Sequence, residues 1–356
     1  DHRKALVWKD QRAVASFISP TDPAVLEFSK FVAGMVRNRF RGELNKDLQI
    51  RLGVFEAMRL SALNVAPDSQ TPYSSYHLAA DKTDFVQYPY QTLSFKSGDS
   101  DDVAVLYACA LSSVGVKAAL IAAADEMLLA FDLDITEVTA RANFAEPDTL
   151  IYRDGQAWLP VRVSLLREGF LRAWQAGAEK WRSMTGPQRD AAFFDIETAW
   201  KVFPPVGLPN IDARVAKPSE ESLTLAFDNT MNRLVKREID PKLNKILSEM
   251  PGGQGEAKQY NKNGLHYEKY VMLDEAKAAF KQAGAEKYVP ALVNLGNIAL
   301  LEKQYEEAIT IFDSILKIQP GNKTAMLGLA QARYEMNEFE ESDKLISQVR
   351  LLDKDL

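Results

Sequence analysis

The C-terminal part of the chain repeats itself, and this restricts the fold more than any other property of the sequence. Asp274-Glu275-Ala276-Lys277-Ala278-Ala279-Phe280 returns as Tyr305-Glu306-Glu307-Ala308-Ile309-Thr310-Ile311-Phe312, and more weakly as Phe339-Glu340-Glu341-Ser342-Asp343-Lys344-Leu345-Ile346. Ala276 and Ala308 stand 32 residues apart, Ala308 and Ser342 34. A small residue precedes each copy at one fixed offset, at Gly264, Gly296 and Ala330, and Pro320 closes the second copy. A unit of this length cannot bury its apolar face alone, so neighbours must stack, and about three units are the minimum for a stable stack. The sequence therefore predicts an all-α solenoid of helical hairpins over 255–356. The small residues should sit where paired helices touch. The segment Pro251-Gly252-Gly253-Gln254-Gly255 ahead of it reads as a linker.

Length and composition bound the rest. A chain of 356 residues with 46% apolar content suits two or three domains with real cores. A net charge of −6, with no basic-aromatic patch, argues against a nucleic-acid partner. No zinc-ligand spacing and no cofactor motif is present, so neither metal nor cofactor is expected. The single cysteine, Cys109, excludes an intramolecular disulfide. No run of about 18 apolar residues occurs, so no transmembrane helix is expected. The chain begins at Asp1 without Met and reads as a processed or trimmed product.

Apolar spacing predicts helices over 22–66, with Val25, Phe28, Phe31, Val32 and Met35 on one face. Residues 67–76, rich in Pro, Ser, Asp and Tyr, read as loop. Gly98 to Ser100 makes a turn, and 101–114 is a helix apolar nearly all round, hence central and buried. Strand-like runs follow at 116–122, 127–133, 149–152 and 156–163, the last two joined by the hairpin signal Asp154-Gly155. A buried helix followed by a largely antiparallel sheet is an α+β order. Residues 169–181 turn helical again, the breaker-rich run 203–209 should wrap the first domain, and helices fill 219–249. The expected domains are 1–215, a helical connector with its Gly-rich linker at 216–254, and the solenoid at 255–356.

Val86-Gln87-Tyr88-Pro89-Tyr90-Gln91-Thr92-Leu93 and Lys96-Ser97-Gly98-Asp99-Ser100-Asp101-Asp102 resemble the core of the transglutaminase-like (papain-like) superfamily. There a cysteine opens the buried helix, a following strand supplies a histidine, and the next supplies an acid or amide that orients it. The resemblance extends over about residues 25–215 and includes Trp158-Leu159-Pro160-Val161 and Phe170-Leu171-Arg172-Ala173-Trp174-Gln175-Ala176-Gly177-Ala178. It implies a papain-like α+β domain and puts Ser100 at the nucleophile, Glu126 at the histidine and Arg162 at the acid. All three roles are then vacant. A serine hydroxyl is almost never ionised at neutral pH and needs a base, and of the three histidines His2 is terminal, His77 is in the loop before the motif and His266 is in a repeat. The resemblance therefore implies a pseudoenzyme, not an enzyme, in which Glu126 and Arg162 close into an ion pair beside the Ser100 helix. Asp99 to Asp102 then serve as a helix cap, in preference to a calcium loop, whose full ligand pattern is absent. Cys109 is a core residue. The alternative is a transglutaminase-like cysteine protease or amidase whose nucleophile at 100 was replaced by serine, or a residual Ser100-dependent hydrolase.

The C-terminal repeats resemble tetratricopeptide repeats. That resemblance implies a groove lined by the first helix of each pair, with Lys258, Asn261, Leu265, Glu268, Val293, Asn297, Leu300, Leu327, Gln331 and Tyr334 as its candidate contacts. Its mixture of apolar and amide residues suits a peptide or another protein's helix; Lys258, Asn261 and Asn297 hint at a carboxylate clamp. No polar capping helix follows the last repeat, so Leu345, Ile346, Val349 and Leu351 offer an open face for a partner or a second copy of the chain. The two resemblances together imply a protein-interaction scaffold in the bacterial cell envelope, outside the cytoplasm.

Overall fold

The computed structural model describes residues 4–7, 9–40, 46–67, 73–76, 83–207, 215–248, 255–269 and 272–352. The chain divides into two compact units, one running to residue 239 and one from residue 240 onward.

The first unit is α+β. Its sheet has five antiparallel strands, in the order Ile151–Arg153, Gln156–Val161, Met127–Thr136, Ala118–Ala122, Phe193–Asp195. Both faces of the sheet are covered, which explains why its central strands read as unbroken apolar runs. Ala118, Leu120, Met127, Leu129 and Phe131 join the main core with the helices. Their alternate neighbours Ala119, Ile121, Leu128 and Ala130 pack on the other face with Trp158, Trp181 and Phe193. The Asp154-Gly155 turn forms as expected, with φ of +51° and +76° and Arg153 opposite Gln156.

The helix Ser100–Ser112 is the centre of this unit, buried from Ser100 through Leu111. Helices Pro23–Arg37 and Lys46–Leu60 pack beside it. Pro23 opens the first of these, and the Asp22 side chain accepts the Val25 N–H at 3.0 Å. Helix Phe170–Ser183 lies so close to the sheet that a Cβ on Gly177 would fall 2.7 Å from the Pro160 carbonyl oxygen, so glycine is required there.

Four expectations need correction. Tyr73–Tyr76 is a helical turn inside the segment read as loop, anchored by the buried Tyr73, whose hydroxyl donates to the Ala123 carbonyl at 3.1 Å. The strand expected over 156–163 stops at Val161, and Val163–Glu168 is a 3-10 turn. Strand Phe193–Asp195 was not foreseen. The boundary expected at 215 falls short, because Leu223, Phe227, Met231 and Leu234 of helix Glu220–Ser248 bury themselves in the first unit's core. The run near 203–209 does return to its own unit: Val206 N–H donates to the Ser16 carbonyl at 2.8 Å.

The second unit contains three helical hairpins: Gly255–Lys269 with Leu273–Ala285, Val289–Leu301 with Tyr305–Ile318, and Lys323–Glu335 with Phe339–Leu352. The repeated small residues Ala276, Ala308 and Ser342 are all buried. Gly264 lies against the ring of Phe280, and Gly296 and Gly328 lie against the ring of Phe312. Lys303 and Asn337, 34 residues apart, adopt the same left-handed conformation in the turns within their hairpins, φ +60° and +63°.

Candidate functional site

Ser100 is the first residue of the central helix, and its surroundings explain the motif around it. Asp102 Oδ1 accepts the Gln87 N–H at 2.6 Å and Oδ2 accepts Gln87 Nε2 at 2.7 Å. The two halves of the motif are thus tied together by one carboxylate. A Cβ on Gly98 would stand 2.7 Å from Asp102 Cβ, so glycine makes room for this tie. Asp99 Oδ2 accepts the Tyr73 N–H at 3.1 Å.

The structure brings together the three positions expected to be linked. Ser100, Glu126 and Arg162 line one cavity of about 190 Å³, together with Tyr73, Asp99 and Ser164. Ser100 Oγ accepts the Met127 N–H at 3.0 Å. Glu126 Oε1 lies 2.7 Å from Arg162 Nε. Neither atom has a hydrogen bond of good alignment, so the contact is an ion pair held by charge. The other carboxylate oxygen, Oε2, accepts the Ser164 hydroxyl at 2.7 Å. The Glu126 side chain is 6% exposed and that of Arg162 35%, so the pair is only half enclosed. Ser164 and Tyr73 were not foreseen as parts of this site. Ser164 stands two residues beyond Arg162; Tyr73 comes from the segment read as loop.

The electrostatics of the site are acidic. Burial, followed by the charge of Asp99, pushes the carboxyls of both Asp101 and Asp102 well above the ordinary range. Burial and the neighbouring charge of Asp101 likewise raise the Tyr73 phenol. Asp125 is partly buried, which opposes its ionisation, yet its hydrogen bond to Lys180 holds it below the ordinary range. No histidine lines the cavity among the described residues; His2 and His77 lie outside those residues, and His266 is exposed on a helix of the second unit. Cys109 is buried, donates to the Ser19 carbonyl at 3.1 Å and has its thiol pushed up by burial, as befits a core residue.

Asp99, Asp101 and Asp102 place carboxylate oxygens within 4.8 Å of one another. Both oxygens of Asp102 and one of Asp99 already accept hydrogen bonds from Gln87 and Tyr73, whereas Asp101 Oδ1 is buried without a hydrogen-bond partner.

In the second unit, Asn261, Leu265 and Val293 line a cavity of about 470 Å³ with Val289, Pro290, Asn294, the inter-hairpin residues Gln319 and Asn322, and Thr324 at the start of helix Lys323–Glu335. Asn294 Nδ2 donates to Asn261 Oδ1 at 3.1 Å, so part of the clamp chemistry is used within the protein. Lys258, Asn297, Leu327, Gln331 and Tyr334 are exposed outside this cavity, and Glu268 is partly buried, with its carboxyl raised by that burial. Leu300 does not line this cavity; it is partly buried and packs against the core around Phe312. The terminal face is also smaller than expected. Val349 is buried and Leu345 packs on the same core, leaving Leu351 and Leu352 as its most exposed apolar side chains.

A family model described as tetratricopeptide repeat matches residues 299–355. No curated protein sequence matches the chain. The C-terminal region thus contains a tetratricopeptide repeat, an architecture that supports protein–protein interaction and protein partners. Among the described residues no helix is long and apolar enough to cross a membrane.

Proposed function

We propose that this chain is a non-catalytic interaction protein, in which a transglutaminase-like domain has lost its reactive groups and the helical hairpins bind a protein or peptide partner. The observation that carries the first half is the contact of Arg162 Nε with Glu126 Oε1 beside Ser100. An arginine at this place cannot take up a proton. It holds the carboxylate that stands where the resemblance puts the base, and Ser100 Oγ accepts an amide hydrogen bond from Met127. The α+β order, the buried helix opened by Ser100 and the Gln87–Asp102 tie support the papain-like reading. The extracytoplasmic, bacterial setting belongs to the same reading and rests on the resemblance alone.

The second half rests on the cavity around Asn261, Leu265, Val293 and Asn294, where amides that pair with a peptide backbone stand beside apolar surface. Panning a displayed random-peptide library on the full chain tests it. Enriched peptides should lose binding in Leu265→Arg, a change at a side chain 45% exposed, and keep it in Arg162→Met. The opposite pattern would move the binding site to the Ser100 cleft.

The rival reading, a hydrolase acting through Ser100 or through a cysteine at that position, draws on the placement of Ser100 at a helix start in an open cavity.

A further inference from the structure

The first unit contains a second cavity, of about 580 Å³, that shares no lining residue with the Ser100 cleft. Its apolar wall is built of Ala122, Ala123 and Ala124, at the end of a central strand, with Ala191, Ala192 and Met184. Two cations, Lys180 and Arg189, line it, and although the chain is acidic overall, no Asp or Glu among the described residues does. Arg189 is positioned over the ring of Trp181, its guanidinium carbon 5.3 Å from the centroid. Its Nε is buried and has no hydrogen-bond acceptor. Asp190 Oδ1 stands 3.8 Å away and already accepts from Arg153 Nη1 at 2.9 Å. Lys180 Nζ holds Asp125 Oδ1 at 2.5 Å, which neutralises that carboxylate from the cavity side.

We propose that this cavity binds a small amphiphilic carboxylate, with its head on Arg189 and Lys180 and its aliphatic body along the alanine wall. The Arg189 side chain is 40% exposed, and a guanidinium beside an ammonium favours a carboxylate, whose two oxygens match its planar fork. The stacking on Trp181 fixes the guanidinium in advance, so little freedom is lost on binding. Short alanine side chains leave room beneath the head for a methylene chain, and the volume lies in the range of small-molecule sites. This site is independent of the interaction role proposed above.

The probe is sodium decanoate, titrated into the full chain by calorimetry below its micellar concentration, with decyltrimethylammonium as the cationic counterpart. Decanoate should saturate one site and the cationic amphiphile should not bind. Arg189→Gln should weaken decanoate at least tenfold. Ala191→Trp, at an exposed position on the wall, should block it. No saturable decanoate binding, equal binding of the two amphiphiles, or a loss smaller than tenfold in Arg189→Gln overturns the proposal. If Arg189→Gln does not fold, the comparison of amphiphiles on the unaltered chain decides, together with Ala191→Trp.

Discussion

Glu126 Oε1 and Arg162 Nε meet at 2.7 Å, one residue standing just before strand Met127–Thr136 and the other just after the neighbouring strand Gln156–Val161. With Arg162 removed, the Glu126 carboxylate keeps only the Ser164 hydroxyl as a partner while remaining nearly buried. Arg162→Met should therefore cost about 1–3 kcal/mol, below the figure for a fully buried pair because Arg162 is partly exposed. The double change Glu126→Gln with Arg162→Met should recover part of that loss. A urea-unfolding double-mutant cycle checks this, and an interaction energy under about 0.5 kcal/mol would show that the pair is not coupled.

Restoring sulfur alone should not restore chemistry. Ser100→Cys would place a thiol beside Asp99 and Asp101, whose acidic surroundings oppose thiolate formation. Glu126, the residue where a base is needed, is engaged by Arg162 and Ser164. Ser100→Cys should therefore leave turnover of peptide and glutamine-amide substrates at background. Measurable turnover from this one change would overturn the non-catalytic reading, since it would require a working base at the site.

Much of this site was legible before the structure because its residues belong to contiguous motifs. Gln87, Gly98, Ser100 and Asp102 occur in one short stretch, and the structure shows why: a single carboxylate ties its two halves. Ser164 lies three residues beyond Trp158-Leu159-Pro160-Val161, where the turn after Val161 decides the direction of its hydroxyl and no strand period reaches. Strand Phe193–Asp195 was missed for another reason. Three residues are too few for a period of two to show, and the strand exists only through its pairing with Ala119–Ile121. In the repeats, the helices were legible from period and small residues alone. Gln319, Asn322 and Thr324 were not, because they come from the turn between hairpins and the first residues of the helix after it, where no helical period is yet set.

The buried acids give the first unit a pH dependence of defined sign. Asp101 is enclosed and faces Asp99, Asp102, Asp84 and the Tyr73 phenol, and its carboxyl is raised well above its ordinary 3.8 by burial first and Asp99 second. Between that ordinary value and the raised one, the folded state binds more protons than the unfolded chain. This contribution to stability is therefore full below about pH 3.8 and is lost as the pH rises through the folded-state value. Asp101→Asn carries no charge to bury and should be more stable at pH 7 by roughly 1 kcal/mol or more, with a flatter profile. Unfolding curves from pH 4 to 8 test this. A variant less stable than the parent at pH 7 would mean that the Asp101 charge is compensated in the folded protein.

Phe312 lies between Gly296 of its own hairpin and Gly328 of the next, and joins the second repeat to the third. A Cβ on Gly296 would stand 2.6 Å from its ring carbons, closer than atoms pack. Gly296→Val should therefore destabilise the hairpin array by about 1–3 kcal/mol through overpacking. Phe312→Ala should cost about 3–5 kcal/mol through the cavity it leaves. Combining Gly296→Val with Phe312→Leu should cost less than the sum of the two single changes, because the smaller side chain yields the space that valine needs. All five tryptophans precede residue 239, so indole emission reports on the first unit, while far-UV ellipticity reports on the helices of both units. Gly296→Val should lower the transition followed by far-UV ellipticity and leave the emission transition where it was. If neither transition moves, Phe312 has room to yield and the glycine is not required; if both move together, the two units unfold as one.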